Sequence, residues 1–136
     1  MTTKFRAWHK TLEEMGRIAF IRYKESGEIA HLSFRRNIYN GNIYGGLVKL
    51  DEIELMQSTG LKDKNGKEIF EGDVVRQVRT QPTIENETIT GVVTMLEGAW
   101  LIVNDNEQLA IDLWSETDEN EIIGNIYENQ IFEEKR

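Results

Sequence analysis

The chain has 136 residues, 39% hydrophobic and 29% charged, with a formal net charge of −8. That size allows one compact domain with at most a small subdomain, and the even spread of Ile, Leu, Val and Phe excludes disorder throughout. With no cysteine, disulfides, thiolate catalysis and cysteine zinc sites are excluded, and no apolar run approaches the roughly 20 residues of a membrane-spanning helix.

Phe5 and Ala7, with polar residues between them, predict a first strand near residues 4–8. Residues 10–15, KTLEEM, carry the best helical periodicity and would make one turn. Two further strands are expected at 17–23, RIAFIRY, and 28–35, EIAHLSFR, separated by the turn-like Lys24-Glu25-Ser26-Gly27. In the second of these, Ile29, His31 and Ser33 share one face. Ala30, Leu32 and Phe34 share the other, and that apolar face should point to the core.

Residues 36–46, RNIYNGNIYGG, are rich in Asn and Gly and read as a long loop. Residues 61–69 read as a hairpin, and its register can be argued from charge. A two-residue Asn65-Gly66 turn would set Lys64 against Lys67 and Asp63 against Glu68. A three-residue loop, Lys64-Asn65-Gly66, instead sets Asp63 against Lys67, Lys62 against Glu68 and Leu61 against Ile69. Cross-strand pairs are each worth roughly 0.2–1 kcal/mol, so the second register is expected, with Gly66 at positive φ and Asn65 at negative φ.

Residues 72–79, GDVVRQVR, predict another strand. Residues 80–87, TQPTIENE, hold the only proline, Pro82, and read as a mobile loop. Residues 88–96 and 99–103 flank Glu97-Gly98, and a two-residue loop there sets Met95 opposite Trp100 and Val93 opposite Ile102. After a turn at Asn104–Glu107 comes 108–114, where Leu109, Ile111 and Leu113 share a face, completing a three-stranded meander. Ser115 or Thr117, followed by acids, is a helix-start signal too short and polar for more than a turn. The fold class expected is mainly β, built of short antiparallel strands.

Four stretches in order carry a family resemblance: FRAW at 5–8, QSTGLKDKNGKEIFEGDVV at 57–75, the Gly98-Ala99-Trp100 turn, and IIGNIYEN at 122–129. With these the chain resembles the YopX family of phage and prophage proteins over nearly its whole length. It departs from the family at His9, where members often have an acid, and at Gln130, where they often have proline. The resemblance implies a phage or integrated-element origin and a bacterial host cytoplasm, and it brings no reaction. It also suggests an SH3-like barrel in the second half, about 53–128, after an N-terminal β subdomain over 1–50.

Motifs of catalysis are missing. There is no P-loop and no G-x-S-x-G, and the Asp63–Lys67 segment lacks EF-hand spacing. His9 and His31 have no clustered ligands, and no metal or cofactor is expected. Trp8, Trp100 and Trp114 are expected to pack in the core or at an interface.

Charge is uneven: residues 1–50 hold nine Lys/Arg against four Asp/Glu, and residues 51–136 hold seven against twenty. Ordinary solvated surface explains this, as does a basic face for an acidic partner. Arg35, Arg36, Tyr39 and Tyr44 are the candidate partner-binding residues, because aromatics interleaved with basic groups grip nucleic acid or acidic protein. The competing reading packs these tyrosines back on the sheet.

The expected function is a non-enzymatic interaction module with an unknown host or phage protein as partner. The alternative is a single-stranded nucleic-acid binder on the barrel, which the net charge disfavours. Three tryptophans and several apolar strands on a short chain also suggest a homo-oligomer. No membrane association is expected.

Overall fold

Residues 4–37, 43–81, 84–115 and 118–128 are described by the structure, a computed structural model. They divide into two units, Met1–Gln57 and Ser58–Arg136.

In the first unit, β-branched and aromatic residues favour strand in β1 (Phe5–His9), β2 (Glu14–Tyr23), β3 (Ile29–Asn37), β4 (Ile43–Val48) and the first half of β5 (Ile53–Lys62). They pair antiparallel in the order β4-β3-β2-β1-β5. Leu32 and Phe34 of β3 are buried with Ala7, Val48 and Ile53, so the apolar face expected of β3 is the core face. Gly16, opposite Ala7, lets Phe34 pass close: a Cβ there would lie 2.6 Å from the ring and from the Arg35 carbonyl.

Two expectations for this unit are corrected. Residues 10–13 do make a single turn closed by the helical-type bond from the Glu13 amide to the His9 carbonyl at 2.8 Å, but Glu13 lies at φ 54° and Glu14 and Met15 already belong to β2, so the turn is shorter than the 10–15 expected. The four-pair β1–β2 ladder that follows outweighs a longer helical segment, whose nucleation is costly. The second correction is the loop at 36–46. Strand β3 continues to Asn37 and β4 begins at Ile43, with pairs running from Leu32↔Val48 to Asn37↔Ile43. Gly45 and Gly46 are strand residues here, and Ile43, Leu47 and Val48 supply the β propensity that the Asn/Gly content obscured.

The second unit holds the rest of β5, then β6 (Glu68–Phe70), β7 (Asp73–Gln81), β8 (Ile84–Leu96), β9 (Ala99–Asn104), β10 (Leu109–Asp112) and β11 (Glu119–Asn125). Its main sheet has the order β10-β9-β8-β7-β11. Met95 lies opposite Trp100 and Val93 opposite Ile102, as expected. Ile69, Val75, Val93, Ile102 and Leu113 form the core, with Leu61, Trp100, Ile111 and Ile122 against it.

The sheet is open where a barrel was expected, with β10 and β11 as its edges. Side-chain amides bridge the gap in place of a ladder. Buried Gln77 donates through Nε2 to Asn120 Oδ1 at 2.9 Å and to the Leu113 carbonyl at 3.3 Å, and Asn120 Nδ2 donates to the same carbonyl at 2.9 Å.

Further corrections fall in this unit. Strands β7 and β8 run to Gln81 and from Ile84, so the segment 80–87 is largely strand; Thr88, Ile89 and Thr90 extend the β pattern back toward it. Residues 119–121 begin β11, and the helix-start signal reduces to Ser115 Oγ accepting the Asp118 amide at 3.2 Å. Trp114 is not core: it follows β10 and is 60% exposed.

The 61–69 hairpin takes the charge-matched register. The Asp63 amide donates to the Lys67 carbonyl at 2.8 Å, and Lys62 faces Glu68. Gly66 sits at φ 82°, and Asn65 is not among the residues at positive φ. Ile69 is fully buried and Leu61 packs on the same cluster. Their direct pairing gives way to a bulge, because the register moves from Lys62↔Glu68 to Ser58↔Phe70. Thr59, Gly60 and Leu61 therefore share Ile69 as their counterpart, with Gly60 at φ 79° and Thr59 Oγ1 donating to the Ile69 carbonyl at 2.8 Å. A Cβ at Gly66 would touch nothing within 4 Å, so Gly66→Ala should cost about 1 kcal/mol from backbone strain alone. A shift in the urea midpoint measures it.

Candidate functional site

Antiparallel register places residues of adjacent strands side by side on one face, with Cβ atoms roughly 4.5–5.5 Å apart. In the first unit this brings three arginines into one row. Arg6 of β1 faces Arg17 of β2, and Arg17 faces Arg35 of β3. Met56 of β5 and Gly45 of β4 flank the row. Ala7 and Phe34, the neighbours of Arg6 and Arg35, point into the core, so the row lies on the opposite face.

Like charges directly opposite one another destabilise a sheet. Arg17 and Arg35 are exposed, and among the described residues neither has an ion pair. Arg6 is half-buried and its Nε donates to Met56 Sδ at 3.4 Å, over a methionine that is 2% exposed. The Arg6 side chain thus covers apolar surface.

Aromatic and basic groups surround the row. Trp8, two residues from Arg6, lies opposite Met15 on the same face. Arg22 faces His31. Between Ile18↔Phe34 and Ile21↔Leu32 the register shifts, so Ala19 and Phe20 together oppose Ser33. Phe20 is 45% exposed. Glu54, opposite Trp8, is the one carboxylate that strand register places on this face among the described residues, and Lys10 pairs with it at 3.5 Å.

Of the residues singled out in the sequence, Arg35 belongs to this row. Arg36 does not: it points to the other face and forms an ion pair with Glu14. Tyr44 occupies the β4 position opposite Arg36, and Tyr39 lies outside the described residues. Arg6 and Arg17 escaped sequence reasoning. No local pattern marks them, because they meet only once the 10–13 turn sets the β1–β2 register.

His31 sits on the arginine face. His9 packs edge-on to Phe34, centroids 5.4 Å apart, with Nδ1 accepting the Leu12 amide at 3.1 Å.

The second unit carries shallower features. Hollows of 390 and 300 Å³ lie beside Trp114 and share Ser115 and Asp118 as lining. A third, of 190 Å³, is lined by Lys64, Arg76 and Glu121. There the charges satisfy one another: Arg76 bonds Glu121, Lys64 reaches the same carboxylate at 3.4 Å, and the bond from Arg76 holds the Glu121 carboxyl below its usual range. Among the described residues no group of three or more His, Asp or Glu is placed to hold a metal ion, and no helix is long and apolar enough to cross a membrane.

A family model described as YopX protein matches residues 4–131. The crystal structure of protein EF1440 from Enterococcus faecalis is similar to this chain with a TM-score of 0.65 at 24% identity, covering 97% of this chain and 98% of that one. At that identity the likeness concerns the fold alone. No curated protein matches the chain.

Proposed function

The chain belongs to the YopX family, and from that footing we propose that it is a non-enzymatic phage or prophage accessory protein that binds an anionic macromolecule in the host cytoplasm. The row Arg6–Arg17–Arg35 carries this reading. Arg17 and Arg35, both exposed and held side by side at a cost to the sheet, are compensated when an anionic partner arrives. Self-association belongs to the same reading, supported by the exposed Leu47, Leu50, Met95 and Leu96 side chains.

Retention on immobilised heparin, a generic polyanion, tests it. The wild-type protein should be held at low salt, and Arg17→Ala with Arg35→Ala should flow through. Both side chains are exposed, so stability should move by less than about 0.5 kcal/mol. Arg36→Ala, on the other face, should be retained. Equal retention of the double variant and the wild type would remove the arginine row from the reading.

A further inference from the structure

We propose that the anionic partner is a single-stranded nucleic acid, its phosphates on Arg6, Arg17 and Arg35 and its bases against Trp8 and Phe20. The inference rests on the reading above and narrows its partner. The arginines sit on three successive strands, so the row runs across the sheet, and a bound strand would cross the β-strands rather than follow one. Guanidinium groups suit phosphate because their planar donors match its oxygens bidentately.

Aromatics beside the row select among polyanions. Trp8 is two residues from Arg6 and half-buried, and Phe20 leaves 45% of its surface exposed within the β2 bulge. An acidic peptide needs the cations but offers no planar groups to these rings. A duplex keeps its bases stacked inside, where the rings cannot reach. A single strand presents both phosphates and free base faces, and stacking on aromatics tolerates any sequence.

The net charge of −8 does not oppose this, because charges farther than roughly 8 Å are screened at cellular ionic strength. Strand register places Arg6, Arg17, Arg35 and Arg22 on this face against Glu54 alone among the described residues, and Glu54 is engaged by Lys10.

Fluorescence anisotropy at low salt tests the proposal with four probes: labelled oligothymidylate, a single-stranded RNA, a DNA duplex and poly-glutamate. Single strands should bind more tightly than the duplex and poly-glutamate. Arg17→Ala with Arg35→Ala should weaken single-strand binding by roughly tenfold or more, and flatten the log K against log salt slope by roughly 0.7 for each phosphate no longer neutralised. Phe20→Ala, at an exposed ring, should weaken single strands by roughly tenfold and leave poly-glutamate unchanged. Binding of poly-glutamate without single strands would overturn this inference and leave the anion-binding reading standing, with an acidic protein as partner. Equal binding of duplex and single strand would show that the rings do not stack on bases and overturn the inference. Failure to bind any of the four would overturn both readings.

Discussion

Replacing Gly91 with alanine is expected to destabilise the second unit by about 3 kcal/mol, the upper end for overpacking a sheet interior. Gly91 is buried in β8 opposite Val75. A Cβ there would stand 2.6 Å from the Val103 carbonyl oxygen, 2.8 Å from the Val103 carbonyl carbon and 2.8 Å from Ile102 Cγ2. Two of those atoms are backbone and cannot rotate away. The β9 backbone is held by the pairs Val92↔Val103 and Val93↔Ile102, and Asn104 Nδ2 ties it to the Thr90 carbonyl at 2.8 Å. Gly98→Ala is the control, since its Cβ would meet open space and only φ 81° penalises it, by about 1 kcal/mol. Urea unfolding of both variants should therefore separate them by about 2 kcal/mol. Equal losses would mean that β9 yields without cost and that this close approach has no structural weight.

The same sheet shows what could be read in advance. Strands β8 and β9 meet at Glu97-Gly98, and the two-residue turn length alone sets the register. Strand β5 had no such signal. Met56 is buried beneath Arg6 while Ile53 and Leu55 serve the core, so apolar residues fall on both faces and the period of two disappears. Strand β4 was hidden by Gly45 and Gly46. The hairpin at 61–69 was legible because charge pairs distinguish two registers, while its bulge was not, because glycine at position 60 is equally compatible with positive φ and with an ordinary strand. The candidate site was legible at Arg35 only. Adjacency in sequence suggested Arg36 as its companion, whereas a strand sends neighbours to opposite faces. Its companions Arg6 and Arg17 come from pairings that no local pattern specifies.

Asp63→Ala should cost about 3 kcal/mol, because this carboxylate, 6% exposed, accepts three backbone amides. Oδ1 takes those of Asn65 and Lys67 at 2.9 Å each, and Oδ2 takes that of Ile122 at 3.1 Å. The first two shape the β5–β6 turn and the third fastens it to β11, beside the Lys64 amide bonded to the Asn120 carbonyl at 2.9 Å. An amide left without an acceptor costs about 1–3 kcal/mol, and turn amides with access to water fall at the low end. Burial pushes the Asp63 carboxyl up, but the amides of Ile122, Lys67 and Asn65, with the Lys67 charge, outweigh it and hold the group below its ordinary value of 3.8. A folded-state pKa below the unfolded one contributes stability above pH 3.8 and loses it as pH falls through the folded value. The wild-type protein should therefore lose melting temperature on acidification below about pH 4 more steeply than Asp63→Asn. Asparagine retains an oxygen for the turn but cannot supply a second acceptor to Ile122, so its deficit should be largest near neutral pH and shrink in acid. Thermal melts of both proteins between about pH 3 and about pH 7 measure that narrowing. A constant gap across the range would show that Asp63 contributes geometry alone and that its charge adds nothing to the joint between the hairpin and β11.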